Sequence, residues 1–262
     1  MNNMDKPNIK ILFVDIDWTL FDHNVLAYPL SGLLALEKAR NNGIKVIICS
    51  ARHYMSFFHL DALDKIPHDG YICSGGGIAY ADGQYIYRQK IEKDLAETFI
   101  KRASDLNYEL QIIGPDYSYL TMPENDLAKG YYQYWYEYHP TVQEYDGREV
   151  TSILLFCKEG EEKQFMDLPL HFFRFYDSGV DVTEKPYLKS TGIRAILKHY
   201  GFKKEEAMGI GDDIPDIEMF NEVGTSIAMG NAKEEVKKKA TYVTYPIHED
   251  GLSRGLEYFK II

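Results

Sequence analysis

The sequence predicts an α/β protein: a doubly wound parallel sheet interrupted by an inserted α+β domain. Three observations carry that expectation. Short apolar runs recur at Ile9–Val14, Lys45–Cys49 and Gly70–Cys73, and again at Ala207–Ile210 and Thr225–Ala228, the pattern of strands buried on both faces. Helical spacing separates them, and strand–helix–strand order argues for parallel pairing through right-handed crossovers. Between about Asp82 and Thr183 the pattern changes to shorter, tyrosine-rich and partly alternating strands.

The elements follow in order. After the first strand, Leu30–Asn42 places Leu33, Leu34, Leu36 and Ala39 on one helical face, and Gly43 suits the position just past the helix end. The second strand is Lys45–Cys49, and the third, Gly70–Cys73, runs into Ser74-Gly75-Gly76-Gly77. In the middle stretch, strands are expected at Tyr85–Arg88, Glu109–Ile113, Ser118–Met122, Thr151–Cys157 and Phe172–Tyr176, with helices at Glu92–Leu106 and Leu127–Tyr138. That mixture suits a separate unit with an antiparallel sheet. Beyond Thr183 the buried-strand pattern returns and ends with Tyr242–Thr244. The expected organisation is a Rossmann-like core of residues 1–82 and 184–262, with an insert of 83–183.

Composition narrows the function. The 262 residues are 45% hydrophobic and 26% charged, as in a soluble globular protein with material for a core. Acidic residues outnumber basic ones by 40 to 29, for a net charge of −11. A surface built to hold nucleic acid or anionic lipid is therefore not expected. Cys49, Cys73 and Cys157 sit in or beside apolar runs rather than at metal-ligand spacing, which reads as buried reduced thiols. MNNMDKPNIK has no apolar leader, and no stretch approaches a membrane span. The expected location is the cytoplasm, and the expected state a monomer or weak homodimer.

Four groups carry chemistry. Asp15-Ile16-Asp17-Trp18-Thr19-Leu20 follows an apolar strand directly. Residues two apart along a strand share a side, so Asp15 and Asp17 can face the crevice beyond the strand's carboxyl end, where open α/β sheets bind ligands. Aspartates also end strands as turn-formers, so the pair gains meaning only from its company. Gly211-Asp212-Asp213-Ile214-Pro215-Asp216 follows another strand; helix capping explains one or two of its carboxylates, three less well. Ser50-Ala51-Arg52 ends a third strand and offers a hydroxyl, backbone N–H groups and a cation to a phosphoryl oxygen, although Arg52 equally suits an ion pair. Lys189 precedes the helix expected at Gly192–Tyr200. Asp15, Asp17, Asp212 and Asp216 bring four negative charges and a phosphate monoester about two more. Lys189 alone cannot offset that, which implies a divalent cation, and oxygen-only ligands favour Mg²⁺.

These motifs resemble the haloacid dehalogenase (HAD) superfamily, specifically Cof-like phosphatases with an α/β cap. The matching stretches are DIDWTL (15–20), CSAR (49–52), EKPYLKSTGI (184–193), GIGDDIPDIEMF (209–220), AMGNAKEEVKKKA (228–240) and HEDGL (248–252). The resemblance implies a HAD-like core and an Mg²⁺-dependent hydrolysis of a phosphate monoester. Asp15 would be the nucleophile that forms an aspartyl phosphate, and Asp17 the acid that protonates the leaving alcohol and then activates water. Ser50 and Lys189 would hold the transferring phosphoryl, with Ala51 and Arg52 beside it. Asp212 would bind Mg²⁺ with Asp15 and the backbone carbonyl of Asp17, and Asp216 would act directly or through a metal-bound water. Crowding among the carboxylates is expected to raise the pKa of Asp17 so that it can serve as an acid. Two departures stand out: Trp18 replaces a common glycine, where positive φ would be strained, and Pro215 replaces a common asparagine.

The insert would cap the crevice and read the leaving group. Tyr117, Tyr119, Tyr131, Tyr132, Tyr134, Tyr136 and Tyr138 offer rings and hydroxyls, although at least half are expected to build the insert's own core. Glu124, Asn125 and Arg148 are candidate polar readers. The partner is expected to be a small phosphorylated metabolite, preferably a sugar phosphate, with pyridoxal phosphate and flavin mononucleotide open. The rivals are a phosphomutase, which would need clustered arginines in the insert, and a non-catalytic phosphometabolite-binding protein.

Overall fold

The computed structural model of the chain describes residues 7–262. The first stretch holds β1 (Ile11–Val14), α1 (Leu30–Asn41), β2 (Lys45–Cys49), α2 (Tyr54–His59), α3 (Ala62–Lys65), β3 (Gly70–Cys73), β4 (Ile78–Ala81) and β5 (Gln84–Arg88). There follow α4 (Lys93–Asp105), β6 (Glu109–Ile113), β7 (Ser118–Leu120), α5 (Asp126–Trp135), β8 (Ser152–Phe156), β9 (His171–Tyr176) and β10 (Gly179–Thr183). The last stretch holds α6 (Lys189–Tyr200), β11 (Ala207–Gly211), α7 (Asp216–Asn221), β12 (Thr225–Ala228), α8 (Glu234–Lys237), β13 (Tyr242–Val243) and α9 (Gly251–Tyr258). Two compact units result. One comprises the chain up to Arg52 with Asp61–Tyr87 and Leu188–Ile262; the other comprises His53–Leu60 and Arg88–Tyr187.

The first unit is built on an eight-stranded sheet in the order β13-β12-β11-β1-β2-β3-β4-β5. Its six strands from β13 to β3 are parallel, as the continuous apolar runs require. All four residues of β1 are fully buried. Full burial of each such side chain contributes about 1.5–3 kcal/mol. The sheet is not parallel throughout. β4 returns antiparallel beside β3, because the short Ser74–Gly76 turn between them leaves no room for a crossover. Asp82 and Gly83, both with positive φ, then turn the chain into β5. Ile193, Ile196 and Leu197 of α6 join Phe13, Ile47 and Ile72 in the core against one face of the sheet.

The second unit is an antiparallel sheet in the order β7-β6-β8-β10-β9. Alternation explains its two faces. Leu110, Ile112, Leu155, Val180 and Val182 pack with Phe99 and Ala103 of α4. Ile113, Leu154 and Phe156 pack with Tyr131 and Tyr132 of α5. Tyr119 joins the first of these cores and Tyr117 packs against it, so four of the seven singled-out tyrosines serve packing, while Tyr134 and Tyr136 are exposed. Asn125 is a helix cap: its Oδ1 accepts from the N–H groups of Leu127 and Ala128 at 2.8 and 3.0 Å. Glu124 pairs with His139 at 2.8 Å, and Arg148 pairs with Asp146 and lies 3.8 Å over the Tyr117 ring. The three cysteines are free and buried. Among the described residues no helix is long and apolar enough to cross a membrane.

Candidate active site

Three adjacent parallel strands aim their carboxyl ends at one place. β1 lies between β11 and β2, with Val14 in register with Ile210 on one side and Ile48 on the other. The residues that follow are therefore neighbours: Asp15 after β1, Ser50 after β2, Asp212 after β11. Asp216 opens α7 four residues beyond Asp212 and folds back beneath it. Its Oδ2 accepts the N–H groups of Asp212 and Asp213 at 2.9 and 3.1 Å. Gly211 makes this possible, because a Cβ there would fall 2.3 Å from the Asp216 carboxyl carbon. The Asp216 carboxylate thus fixes the loop as well as lining the site.

Lys189 is the first residue of α6, three positions earlier than its spacing suggested. The helix start lacks a side-chain cap, so the usual boundary signal is missing. The Lys189 side chain is 3% exposed. Its Nζ donates to Asp15 Oδ1 and Asp216 Oδ1, both at 2.7 Å, and to the carbonyl of Cys49 at 3.0 Å. The turn after β3 closes against this segment: Gly76, at φ 103, approaches so closely that a Cβ would meet the Leu188 carbonyl oxygen at 2.1 Å. Ser74 and Gly75 in the same turn donate their N–H groups to the carbonyls of Arg52 and Ala51 at 2.7 and 3.2 Å. The Ser50 hydroxyl is buried and accepts the Arg52 N–H at 3.2 Å, while Ala51 is exposed.

One oxygen each from Asp15, Asp212 and Asp216 lies within 4.8 Å of the others. Burial and the neighbouring carboxylates push Asp15 well above the ordinary carboxylate range, against the pull of Lys189. Burial and Asp216 push Asp212 up to about 8, although Thr19 Oγ1 donates to its Oδ1 at 3.1 Å. Lys189 remains a cation because Asp15 and Asp216 outweigh its desolvation. Three crowded acids against one lysine form an oxygen-only donor set short of positive charge, which suits a hard cation such as Mg²⁺. Asp15 and Asp212 are the better placed to hold it, since both oxygens of Asp216 already accept hydrogen bonds.

Asp17 corrects the expectation drawn for it. Its carboxylate is not part of that cluster. Arg52 Nε donates to Oδ2 at 2.9 Å and Arg52 Nη2 to Oδ1 at 2.8 Å, and His23 Nε2 lies 2.6 Å from Oδ1. Burial alone would raise its pKa, but Arg52 and His23 overcome that and hold Asp17 well below the ordinary range. The raised acids are Asp15 and Asp212 instead. Arg52, which suited either an anion or an ion pair, makes the ion pair here. Trp18 does adopt the left-handed conformation, with φ 58. Its carbonyl accepts Asn231 Nδ2 at 2.9 Å, and Asn231 Oδ1 in turn accepts the Ile247 N–H at 2.9 Å. His23, Thr19 and Asn231 were not singled out from the sequence. Thr19 and Asn231 lie within quoted motifs, and their oxygen and amide groups were the available signal; His23 lies outside every motif.

Comparison with known proteins places the chain in a family. The pattern of the haloacid dehalogenase-like hydrolases matches residues 12–256. A putative phosphatase of Bacillus subtilis, YkrA, is 28% identical over 97% of this chain and 98% of its own. A hypothetical protein from Geobacillus kaustophilus is 28% identical in its crystal structure, with a TM-score of 0.89 over 97% of this chain and 100% of that one. The HAD subclass IIB sugar phosphatase BT4131 is 31% identical, with a TM-score of 0.77 over 97% and 100% of the two chains. The chain, an α/β protein with these motifs at the carboxyl ends of its parallel strands, belongs to the haloacid dehalogenase-like hydrolase family.

Proposed function

We propose that this hydrolase, a phosphatase like its relatives, removes the phosphoryl group from a small sugar phosphate through an aspartyl-phosphate intermediate. The observation that carries the reading is Lys189 buried between Asp15, which follows β1, and Asp216, which opens α7 beyond the adjacent β11. Asp15 attacks phosphorus, forming a bond from its carboxylate oxygen as the bond to the leaving alcohol breaks. Lys189 holds Asp15 in line and offsets charge on the phosphoryl oxygens, beside the Ser50 hydroxyl and the Ala51 and Arg52 segment. Asp17 supplies the proton to the alcohol and takes one from the water that cleaves the intermediate. Ionised by Arg52 and His23, it is set for the second of these tasks; for the first it must gain a proton, which the negative charge of a bound phosphate beside it favours. Asp15 and Asp212 would hold Mg²⁺ together with the Asp17 carbonyl and Asp216, and the ion would neutralise charge on the transferring group.

The sugar-phosphate preference rests on the likeness to a sugar phosphatase. A cytoplasmic location accords with three free, buried thiols. Incubation with Mg²⁺ and a panel of phosphorylated metabolites, including hexose phosphates, pyridoxal phosphate and flavin mononucleotide, tests the reading. Inorganic phosphate should be released fastest from sugar phosphates, and chelation should stop it. Return of an isomeric hexose phosphate instead would make the chain a mutase, and tight binding without turnover would make it a binding protein.

A further inference from the structure

We propose that His23 is a positioning residue for Asp17, and that Trp18 is the wall that keeps its imidazole in place. The proposal rests on the reading of Asp17 as the acid and base, and adds to that residue a device from outside the motifs. A free aspartate rotates about its last side-chain bond, so a carboxylate that must meet one proton needs its plane fixed. Here Arg52 contacts both oxygens and His23 Nε2 adds a contact of 2.6 Å on Oδ1. The imidazole is itself confined. Its ring centroid lies 5.1 Å from that of Trp18, and the Phe21 ring meets it edge-on at 5.0 Å. The His23 side chain is only 15% exposed.

The Trp18 backbone carries the same arrangement. An L-residue at φ 58 is unfavourable, yet the conformation accompanies two gains. It leaves the Trp18 carbonyl where Asn231 donates to it at 2.9 Å, and sets the indole beside His23. Glycine would adopt the same backbone without strain but would leave that side of the imidazole open. The side chain at 18 therefore has a purpose that its backbone alone does not explain.

The test is a double-mutant cycle with Mg²⁺ on the full chain, using an alkyl phosphate that the metabolite panel shows to be turned over, since an alkoxide leaving group needs the proton that p-nitrophenolate does not. Asp17→Asn should lower kcat by about a hundredfold or more, the scale of general acid–base catalysis. His23→Ala should lower kcat by about tenfold while KM stays within about twofold, the signature of an interaction used in the reaction rather than in binding. His23→Gln, whose amide N–H reaches the place of the imidazole Nε2, should recover most of the loss. In the Asp17→Asn background, His23→Ala should cost nothing further, because a residue acting through Asp17 has nothing left to position. Equal losses in both backgrounds would overturn the proposal, as would wild-type kcat in His23→Ala or a loss confined to KM. Wild-type kcat in Asp17→Asn would overturn the reading of Asp17 itself, and the proposal with it. Circular dichroism and melting temperature check folding, and the glutamine variant keeps the test decisive if the alanine variant is unstable.

Discussion

Asp15 and Asp17 stand two residues apart on one loop and live in opposite surroundings. Asp15 shares its space with Asp212, Asp216 and a single lysine, and is pushed up. Asp17 is met by a guanidinium and an imidazole, and is held down. One region is short of positive charge and the other well supplied. Both residues follow β1 closely, but the side chains arriving from elsewhere decide what each carboxylate can do. Motif spacing therefore locates a site more securely than it assigns protonation states within it.

The comparison can be broken in several ways. The largest expected effect is on Asp15. Asp15→Asn should cut phosphate release by at least about 10³-fold with the circular dichroism spectrum unchanged, since the proposed nucleophile has no substitute. A variant with full activity would move the chemistry elsewhere. Next comes Lys189. Lys189→Met should strip two buried carboxylates of their cation and destabilise the fold by about 3–5 kcal/mol in urea titrations, in addition to abolishing turnover. A loss below about 1 kcal/mol would mean that the lysine matters less to the fold than its contacts imply.

The metal-free site sharpens the contrast through pH. Asp212 titrates near 8 in the fold, against about 3.9 in an unfolded chain. Between those values the folded chain holds the extra proton, so this group makes stability fall as pH rises through the window. Asp212→Asn should remove that slope and make the metal-free protein more stable at pH 8. Saturation with Mg²⁺ to a hundred times its Kd should stabilise the native protein by about 2.7 kcal/mol. Asp212→Asn should lose most of that gain, read as a shift in melting temperature. The smallest effect is expected at Trp18. Trp18→Gly relieves left-handed strain of about 1–2 kcal/mol and adds unfolded-state entropy worth about 0.4–1 kcal/mol in the opposite sense. Denaturation should therefore show a net gain of between about 0 and 1.6 kcal/mol.

Much of this site was legible because its residues follow buried apolar runs. Asp15, Ser50 and Asp212 directly follow strands whose uninterrupted hydrophobicity announces them, and Lys189 opens a periodic helix. What was not legible depends on side-chain direction. Nothing in the spacing of Arg52 says that its partner is Asp17, and His23 is a single histidine beyond the motif. In the fold, β4 and β10 carry no clear strand signal in the sequence. Ile78–Ala81 is a four-residue strand set by a glycine-rich turn, and Gly179–Thr183 starts with glycine and carries Asp181 at its centre, so neither presents a long apolar or alternating signal. The antiparallel turn of β4 could not be read from runs that look alike in either direction.

Asp15 is the proposed atom donor to phosphorus. Acid quenching of the enzyme during turnover of p-nitrophenyl phosphate with Mg²⁺, followed by peptide mass spectrometry, addresses that directly. A phosphoryl adduct on the peptide bearing Asp15 is predicted, more abundant in Asp17→Asn if hydrolysis of the intermediate is slowed more than its formation, and missing from Asp15→Asn. Phosphate release with no adduct at any stage of turnover, or an adduct on another residue, would contradict it.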